Sequence, residues 1–343
     1  NARSREVGSM ILGSYRIEIP FEELKRYKRL LLQLPAGLKV YAREIADAIE
    51  ERTDSEVFID ADPCFGACDL AIDLARSIGA DALVHFGHLP IPNIKLDFPV
   101  IFVNAVMDLD VQKVSEMIRE NVRERSINLV TTAQHIDFIY DIKRNLEKYG
   151  FYVHIGRGDE RISRPGLVLG CNFSSAQDGD ADSIIFVGTG DFHPIGLSLS
   201  TSKRVYALDP ILMKLKTPEE IAQKGEELLK KRYSLLSASI DAERIGIIVS
   251  SKIGQKRMNI AIRLKEKAKN AGKQAHILVM DRVEPHLLKD FGKFDCFVST
   301  ACPRIAIDDS KSFDVPVLTP VEFEMMVGER DSSTYLLDTI SSP

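Results

Sequence analysis

Arg244-Ile-Gly-Ile-Ile-Val-Ser250, a helical stretch from about Lys256 to Asn270, and Gln274-Ala-His-Ile-Leu-Val-Met280 read as strand, helix and strand. Both flanking runs are short, apolar and rich in β-branched residues. That is the pattern of strands buried on both faces of a parallel sheet. The helix between them makes the unit βαβ. The same grammar occurs twice upstream. Arg29-Leu-Leu-Leu-Gln-Leu-Pro35, a helix from about Val40 to Glu51 and Glu56-Val-Phe-Ile-Asp60 form one unit. Ile127-Asn-Leu-Val-Thr-Thr132, a helix from about Ile136 to Lys148 and Phe151-Tyr-Val-His-Ile155 form another.

Two more strands follow each unit. They are Ala82–Phe86 and Val100–Val103, then Ser183–Val187 and Arg204–Leu208, then Cys296–Ser299 and Val315–Leu318. The expected architecture is α/β: three similar small domains, each a parallel sheet of about four strands, around a shared central site. Boundaries fall near a helical stretch after Met107 and near Lys216–Glu219. The blocks are therefore 10–108, 109–216 and 217–343, with one cysteine of interest in each. A long helix from Pro218 to Ala242 joins the second and third.

A chain of 343 residues has room for two or three such domains. Hydrophobic residues make up 45% and charged residues 28%, ordinary for a globular protein, and the net charge is −5. That charge gives no electrostatic reason to bind nucleic acid or acidic lipid; a small ligand or a protein partner fits better. No apolar run approaches the roughly 18 residues of a membrane span. Asn1 to Ser9 is polar, lacks the apolar core of a signal peptide and is read as lying outside the fold, which then starts at Met10. Five cysteines, an odd number in a large chain, do not suit a secreted disulfide scaffold. A reducing cytoplasm is expected, where thiols serve as buried hydrophobes, metal ligands or nucleophiles.

Ligands of open parallel sheets bind outside the carboxyl ends of strands. The polar and glycine-rich segments cluster at those ends: Asp60-Ala-Asp-Pro-Cys-Phe-Gly-Ala-Cys68, Thr131-Thr-Ala-Gln-His135, Gly156-Arg-Gly-Asp-Glu-Arg161, Gly188-Thr-Gly-Asp-Phe-His193, Ser250-Ser-Lys-Ile-Gly-Gln255 and Thr300-Ala-Cys-Pro-Arg304. Each block supplies a cysteine near such a loop: Cys68, Cys171 and Cys302. Thiolates are soft ligands suited to iron–sulfur clusters or zinc. The register is imperfect, because Cys68 and Cys171 precede a third strand whereas Cys302 follows one. Cys296 lies inside an apolar strand and is read as a core residue. Cys64 shares the loop of Cys68; it is a fourth ligand or a bystander, and the bystander reading is preferred. His85 and His154 sit in strands and are expected to pack. His88, His135 and His193 sit in candidate pocket loops. Gly188-x-Gly190 lacks the third glycine of a dinucleotide fingerprint.

Gly66-Ala-Cys-Asp69, Thr131-Thr-Ala-Gln-His135, Ile155-Gly-Arg-Gly-Asp159 with Arg161-Ile162, Leu169-Gly-Cys-Asn172, Phe192-His-Pro194 and Ala301-Cys-Pro-Arg304, taken together and in this order, resemble the archaeal 2-(3-amino-3-carboxypropyl)histidine synthases of diphthamide synthesis. The resemblance runs from about Leu24 to Glu322. It implies a homodimer and a [4Fe–4S] cluster held by Cys68, Cys171 and Cys302. It also implies a radical use of S-adenosylmethionine that cuts the bond from sulfur to the γ-carbon. The 3-amino-3-carboxypropyl group then passes to a histidine of translation elongation factor 2, leaving methylthioadenosine, with electrons from a separate donor. Cys64-x3-Cys68 has no third cysteine two residues on, so the compact loop of ordinary radical enzymes of this cofactor is absent. The cofactor's carboxylate needs cationic or N–H partners and its adenosine needs polar groups. Arg157, Arg161, Lys252, Gln255 and Arg304 are the candidates by loop position, with Gln134, His135, Asp159, Gly188 and His193 beside them. Two rival readings are a hydro-lyase like quinolinate synthase, whose motifs are not matched, and a zinc-stabilised scaffold without catalysis.

Overall fold

The computed structural model describes residues 8–341. The first seven residues of the expected polar leader and the last two of the third block lie outside that range. The chain opens with an antiparallel hairpin, β1 (Gly8–Leu12) and β2 (Tyr15–Ile19). The first parallel sheet follows, with β3 (Arg29–Gln33), β4 (Glu56–Ile59), β5 (Ala82–Phe86) and β6 (Val100–Val103). Its spatial order is β4-β3-β5-β6. Next, β7 (Ala105–Met107) runs antiparallel to β2 and completes a three-stranded sheet with the hairpin. The hairpin's Leu12, Ile17 and Ile19 are fully buried against Leu30, Ile45 and Phe86 of the first block.

This hairpin corrects the expectation that the fold starts at Met10. Gly8 and Ser9 already pair with Ile19 and Glu18. Ladder bonds use backbone groups, so the polar side chains here gave no sign of a strand. Gly8 also lies so close to the Phe21 ring that an added Cβ would sit 2.2 Å from it.

The second sheet contains β8 (Ser126–Thr131), β9 (Tyr152–His154), β10 (Ser183–Val187), β11 (Arg204–Asp209) and β12 (Lys214–Lys216). Its order is β12-β11-β10-β8-β9, and only the edge strand β12 is antiparallel. The third sheet contains β13 (Arg244–Ser250), β14 (Gln274–Met280), β15 (Cys296–Ser299) and β16 (Val317–Leu318) in the order β14-β13-β15-β16, all parallel. β16 is shorter than the expected Val315–Leu318. Pro316 has no N–H to donate and only its carbonyl joins the sheet, accepting from the Phe297 N–H at 2.9 Å.

All three parallel sheets therefore place their strands in the same order: second, first, third, fourth. Their inward residues are the β-branched and leucine runs read from sequence, such as Ile245, Ile247 and Val249, each fully buried. The loops with unusual composition leave the carboxyl ends. A helix over Pro218–Ser239 connects the second and third sheets. It starts with a capping box between Thr217 and Glu220 and has Pro218 in its first turn. Its Arg232 is fully buried and binds Glu322 through Nε at 2.7 Å and Nη2 at 2.5 Å.

Candidate functional site

Three loops bring the three cysteines together, and each loop is fixed by a different device. Cys68 ends a tight turn in which the Asp69 N–H donates to the Gly66 carbonyl at 2.9 Å. The third block clamps that turn. The Gly254 N–H donates to the Cys68 carbonyl at 3.0 Å, Gln255 Nε2 lies 3.4 Å from Cys68 Sγ, and Lys252 forms an ion pair with Asp69. Gly254 has no room for a side chain: an added Cβ would lie 2.4 Å from Cys68 Cα. Gly254→Ala should therefore push the two loops apart, and iron loading of the reconstituted protein should fall sharply while its secondary structure persists. Unchanged loading would mean that this close approach does not position Cys68.

Cys171 sits in a turn closed by paired bonds between Leu169 and Asn172. The Asn172 side chain donates to Asp159 Oδ2 at 2.8 Å and to the Ile340 carbonyl at 3.0 Å. The Ile340 N–H in turn donates to the Cys171 carbonyl at 2.8 Å, so the carboxyl-terminal segment straps this turn.

Cys302 caps the short helix Pro303–Ile307, just past β15. Arg257 donates to the carbonyls of Thr300 at 2.7 Å and Ala301 at 3.0 Å, and pairs with Asp338 at 2.6 Å. The out-of-register position of Cys302 thus has a physical account. Cys68 and Cys171 leave second, edge strands, and Cys302 leaves the third strand on the other side of β13. All three exits are carboxyl ends, so all three reach the same side of their sheets.

Cys68, Cys171 and Cys302 line one cavity of ≈ 250 Å³, together with Phe65, His88, Leu89, Gln134, His193 and Arg304. Burial pushes all three thiols up, Cys171 to about 11 and Cys302 to about 12; Cys68 adds to the rise at Cys171, and both add to the rise at Cys302. Buried thiols that would repel as thiolates are a set a cation can hold together. The Arg161 guanidinium opposes the rise at Cys68 and Cys171. Arg161 is almost fully buried, donates to the Gly254 carbonyl at 3.3 Å, and keeps Nε without a partner. A buried cation with an orphaned donor beside three thiols fits a group that carries net negative charge. His193 and His88 are pushed down to about 4 by burial and stay neutral at physiological pH. Arg304 lies over the Phe192 ring, 3.9 Å from its centroid, and pairs with Asp308 at 2.7 Å.

The other residues singled out from sequence divide by position. Gln134, His193 and Arg304 line the thiol cavity, and Arg161 and Gln255 stand against its sulfurs. His135 is buried one wall away, in a neighbouring cavity of ≈ 220 Å³, with Nδ1 3.1 Å from the Met107 carbonyl. Lys252 lines the seam between the first and third sheets. Asp159 organises the Cys171 turn and Arg157 is exposed. Gly188 lies against Phe186, where a Cβ would meet the ring at 2.7 Å. Cys296 is fully buried in the core of the third block. Sequence reasoning missed Arg257, Asp338 and Ile340. Arg257 and Ile340 clamp backbone groups and Asp338 holds Arg257, roles that leave no spacing or periodicity to find.

Three separate α/β sheets, each delivering one cysteine to a common cavity, define a class of protein suited to a soft metal centre held from three parts of the chain. Within that class the chain belongs to the diphthamide synthesis protein family, whose model matches residues 34–336. It is 41% identical over 325 residues to the 2-(3-amino-3-carboxypropyl)histidine synthase of Pyrococcus horikoshii, covering 92% of each chain. Subunit 1 of the same synthase from Schizosaccharomyces pombe is 30% identical, over 87% of this chain and 70% of that one. The fold matches the crystal structure of Dph2 from Pyrococcus horikoshii with a 4Fe-4S cluster, with a TM-score of 0.85 and 40% identity. That match covers 94% of this chain and 92% of the other.

Proposed function

We propose that this protein performs the first step of diphthamide biosynthesis. In this reading it takes the 3-amino-3-carboxypropyl group from S-adenosylmethionine, joins it to a histidine of translation elongation factor 2 and releases methylthioadenosine. The observation that carries the reading is the convergence of Cys68, Cys171 and Cys302 on one cavity, in a chain whose relatives bear this synthase name. A [4Fe–4S] cluster on those three cysteines would supply the electron that breaks the bond from sulfur to the γ-carbon.

The chain's own residues hold and shield. Arg161 offsets the negative charge of a thiolate-bound group from inside the protein. Gln255 donates toward Cys68 Sγ, which favours the thiolate. Arg304 is anchored by its Nε–H on Asp308 and by its guanidinium over the Phe192 ring. It therefore presents a fixed cation at the cavity, suited to a carboxylate. Gln134 and neutral His193 offer polar groups to adenosine, and Leu89, Ile91 and Phe65 form an apolar wall that limits water. His135, Asp159, Arg157, Gly188 and Lys252 have weaker claims to direct contact because of where they lie.

The blocks 10–108, 109–216 and 217–343 are the units that this reading treats as the three cysteine-bearing domains. The reading also takes the protein to work in the cytoplasm as a homodimer, with an external electron donor and without direct nucleic-acid contact. Among the described residues no helix is long and apolar enough to cross a membrane. The test is anaerobic: reconstituted protein, dithionite, S-adenosylmethionine and elongation factor 2 are mixed and the products identified. Methylthioadenosine and a histidine heavier by the aminocarboxypropyl group are expected. Release of 5′-deoxyadenosine instead would overturn the cleavage direction.

A further inference from the structure

Beside the thiol cavity lies a second set of soft ligands that the proposed function leaves unused. Cys64, His85 and His88 bring one ligand atom each to within 4.8 Å of one another. Cys64 enters the turn that delivers Cys68. His85 lies near the end of β5, and His88 follows it in the next loop.

Neighbours aim each part of this set. Gln33 is locked, because its Nε2 donates to the Asp69 carbonyl at 2.8 Å and its Oε1 accepts from the Ala71 N–H at 3.3 Å. The same Oε1 lies 2.8 Å from His85 Nδ1. An amide oxygen can only accept, so His85 carries its proton on Nδ1 and turns the lone pair of Nε2 inward. That Nε2 lies 3.1 Å from His88 Nδ1. Two imidazoles on one tetrahedral zinc stand roughly 3.3 Å apart at ordinary Zn–N lengths. On the third ligand, burial pushes the Cys64 thiol up to about 12, and the Gly66 N–H opposes that rise. Partners of this kind, one step behind the ligand atoms, orient histidine and cysteine at metal sites.

A structural reading would leave His85 and His88 as a simple hydrogen-bonded pair. It does not account for the buried thiol facing them. The other groups acting on Cys64 are Asp69, Cys68 and Asp60, none of them a cation. Burial and those neighbours oppose a thiolate without a counter-charge.

We propose that Cys64 Sγ, His85 Nε2 and His88 Nδ1 bind one divalent ion of the zinc class, separate from the three-cysteine centre. The donor set is one thiolate and two imidazoles, which suits zinc. On binding, the thiol proton leaves and His88 moves its proton to Nε2. Because His88 also lines the three-thiol cavity, the ion would stand beside it. The ion ties the loop carrying Cys68 to the end of β5.

The test uses the full chain with Cys68, Cys171 and Cys302 all replaced by serine, so that the proposed set is the cysteine–histidine group under study. After chelator treatment it is titrated anaerobically with cobalt(II). One cobalt per chain is expected, with a thiolate-to-cobalt charge-transfer band that one equivalent of zinc removes. The band should vanish in Cys64→Ser. Affinity should fall by at least tenfold in His85→Gln and His88→Gln, and by about 10- to 100-fold in Gln33→Leu, which touches no metal. Absence of cobalt binding, or a band that survives Cys64→Ser, overturns the proposal. If circular dichroism shows the triple variant unfolded, zinc per chain is measured in the cluster-loaded protein with and without Cys64→Ser. One zinc lost with Cys64 supports the site, and equal zinc in both overturns it.

Discussion

Cys68→Ala, Cys171→Ala and Cys302→Ala should each reduce iron and sulfide in the anaerobically reconstituted protein to background, whereas Cys296→Ala should keep nearly full loading. The three thiols come from loops on three different sheets and line one cavity. Removing one leaves only two of the three thiols that line it. Cys296 is fully buried in the core of the third block. Its loss removes packing but no ligand. Cys64→Ala should also retain iron, because its sulfur faces His85 and His88. The measurement is iron and sulfide per chain with the visible absorption of the cluster, alongside circular dichroism to show a folded protein. Retention of iron in Cys68→Ala with loss in Cys64→Ala would reverse the assignment within that loop.

Arg232→Leu should destabilise the protein by about 3–5 kcal/mol, the cost of stranding one member of a buried ion pair. Arg232 and Glu322 are each 1% exposed at the side chain. The guanidinium also donates to the Ala306 carbonyl at 2.5 Å and the Val317 carbonyl at 2.8 Å. Tyr335 donates to Glu322 Oε1 at 2.7 Å, and its phenol is held well above the usual range, first by burial and then by that carboxylate. One side chain therefore ties the joining helix to the helix after Cys302, to strand β16 and to the helix that carries Glu322. Without it the buried Glu322 carboxylate loses its ion-pair partner and is left with the Tyr335 hydroxyl and the Thr319 N–H. The double variant Arg232→Leu/Glu322→Leu removes both charges and should cost clearly less than the single one. Urea unfolding of Arg232→Leu, Glu322→Leu and the double variant checks this, and equal or additive costs would sink it. Because Ala306 lies in the helix that Cys302 caps, the single variant should also load less iron.

Much of the fold was legible because buried parallel strands leave a strong trace. The strands β5, β6, β10, β13, β14 and β15 match the apolar runs residue for residue. Such runs are dictated by burial on both faces. The hairpin β1–β2 and strand β7 left no such trace. Their register is set by backbone pairing and by contact with a core that other segments supply. At the site the pattern was similar. Gln134, Arg161, His193, Gln255 and Arg304 lay in loops whose odd composition marked them. Arg257 looked like any helix-flanking cation, and Asp338 and Ile340 like any polar tail. Their roles depend on carbonyls and an ion-pair partner that become neighbours only after folding.

By itself the sequence determined three repeated α/β units, the loops that carry chemistry, and one candidate thiol in each unit. Periodicity and residue type encode those features locally. Tertiary structure decided which thiols meet. Cys302 leaves a different strand from its counterparts, yet carboxyl ends of parallel strands share a side, so it reaches the cavity of Cys68 and Cys171. It also separated Cys64 from Cys68, only four residues on, because His85 and His88 face one sulfur and Gln255 faces the other. Proximity along the chain says which residues share a loop. Only packing says which way each side chain of that loop points.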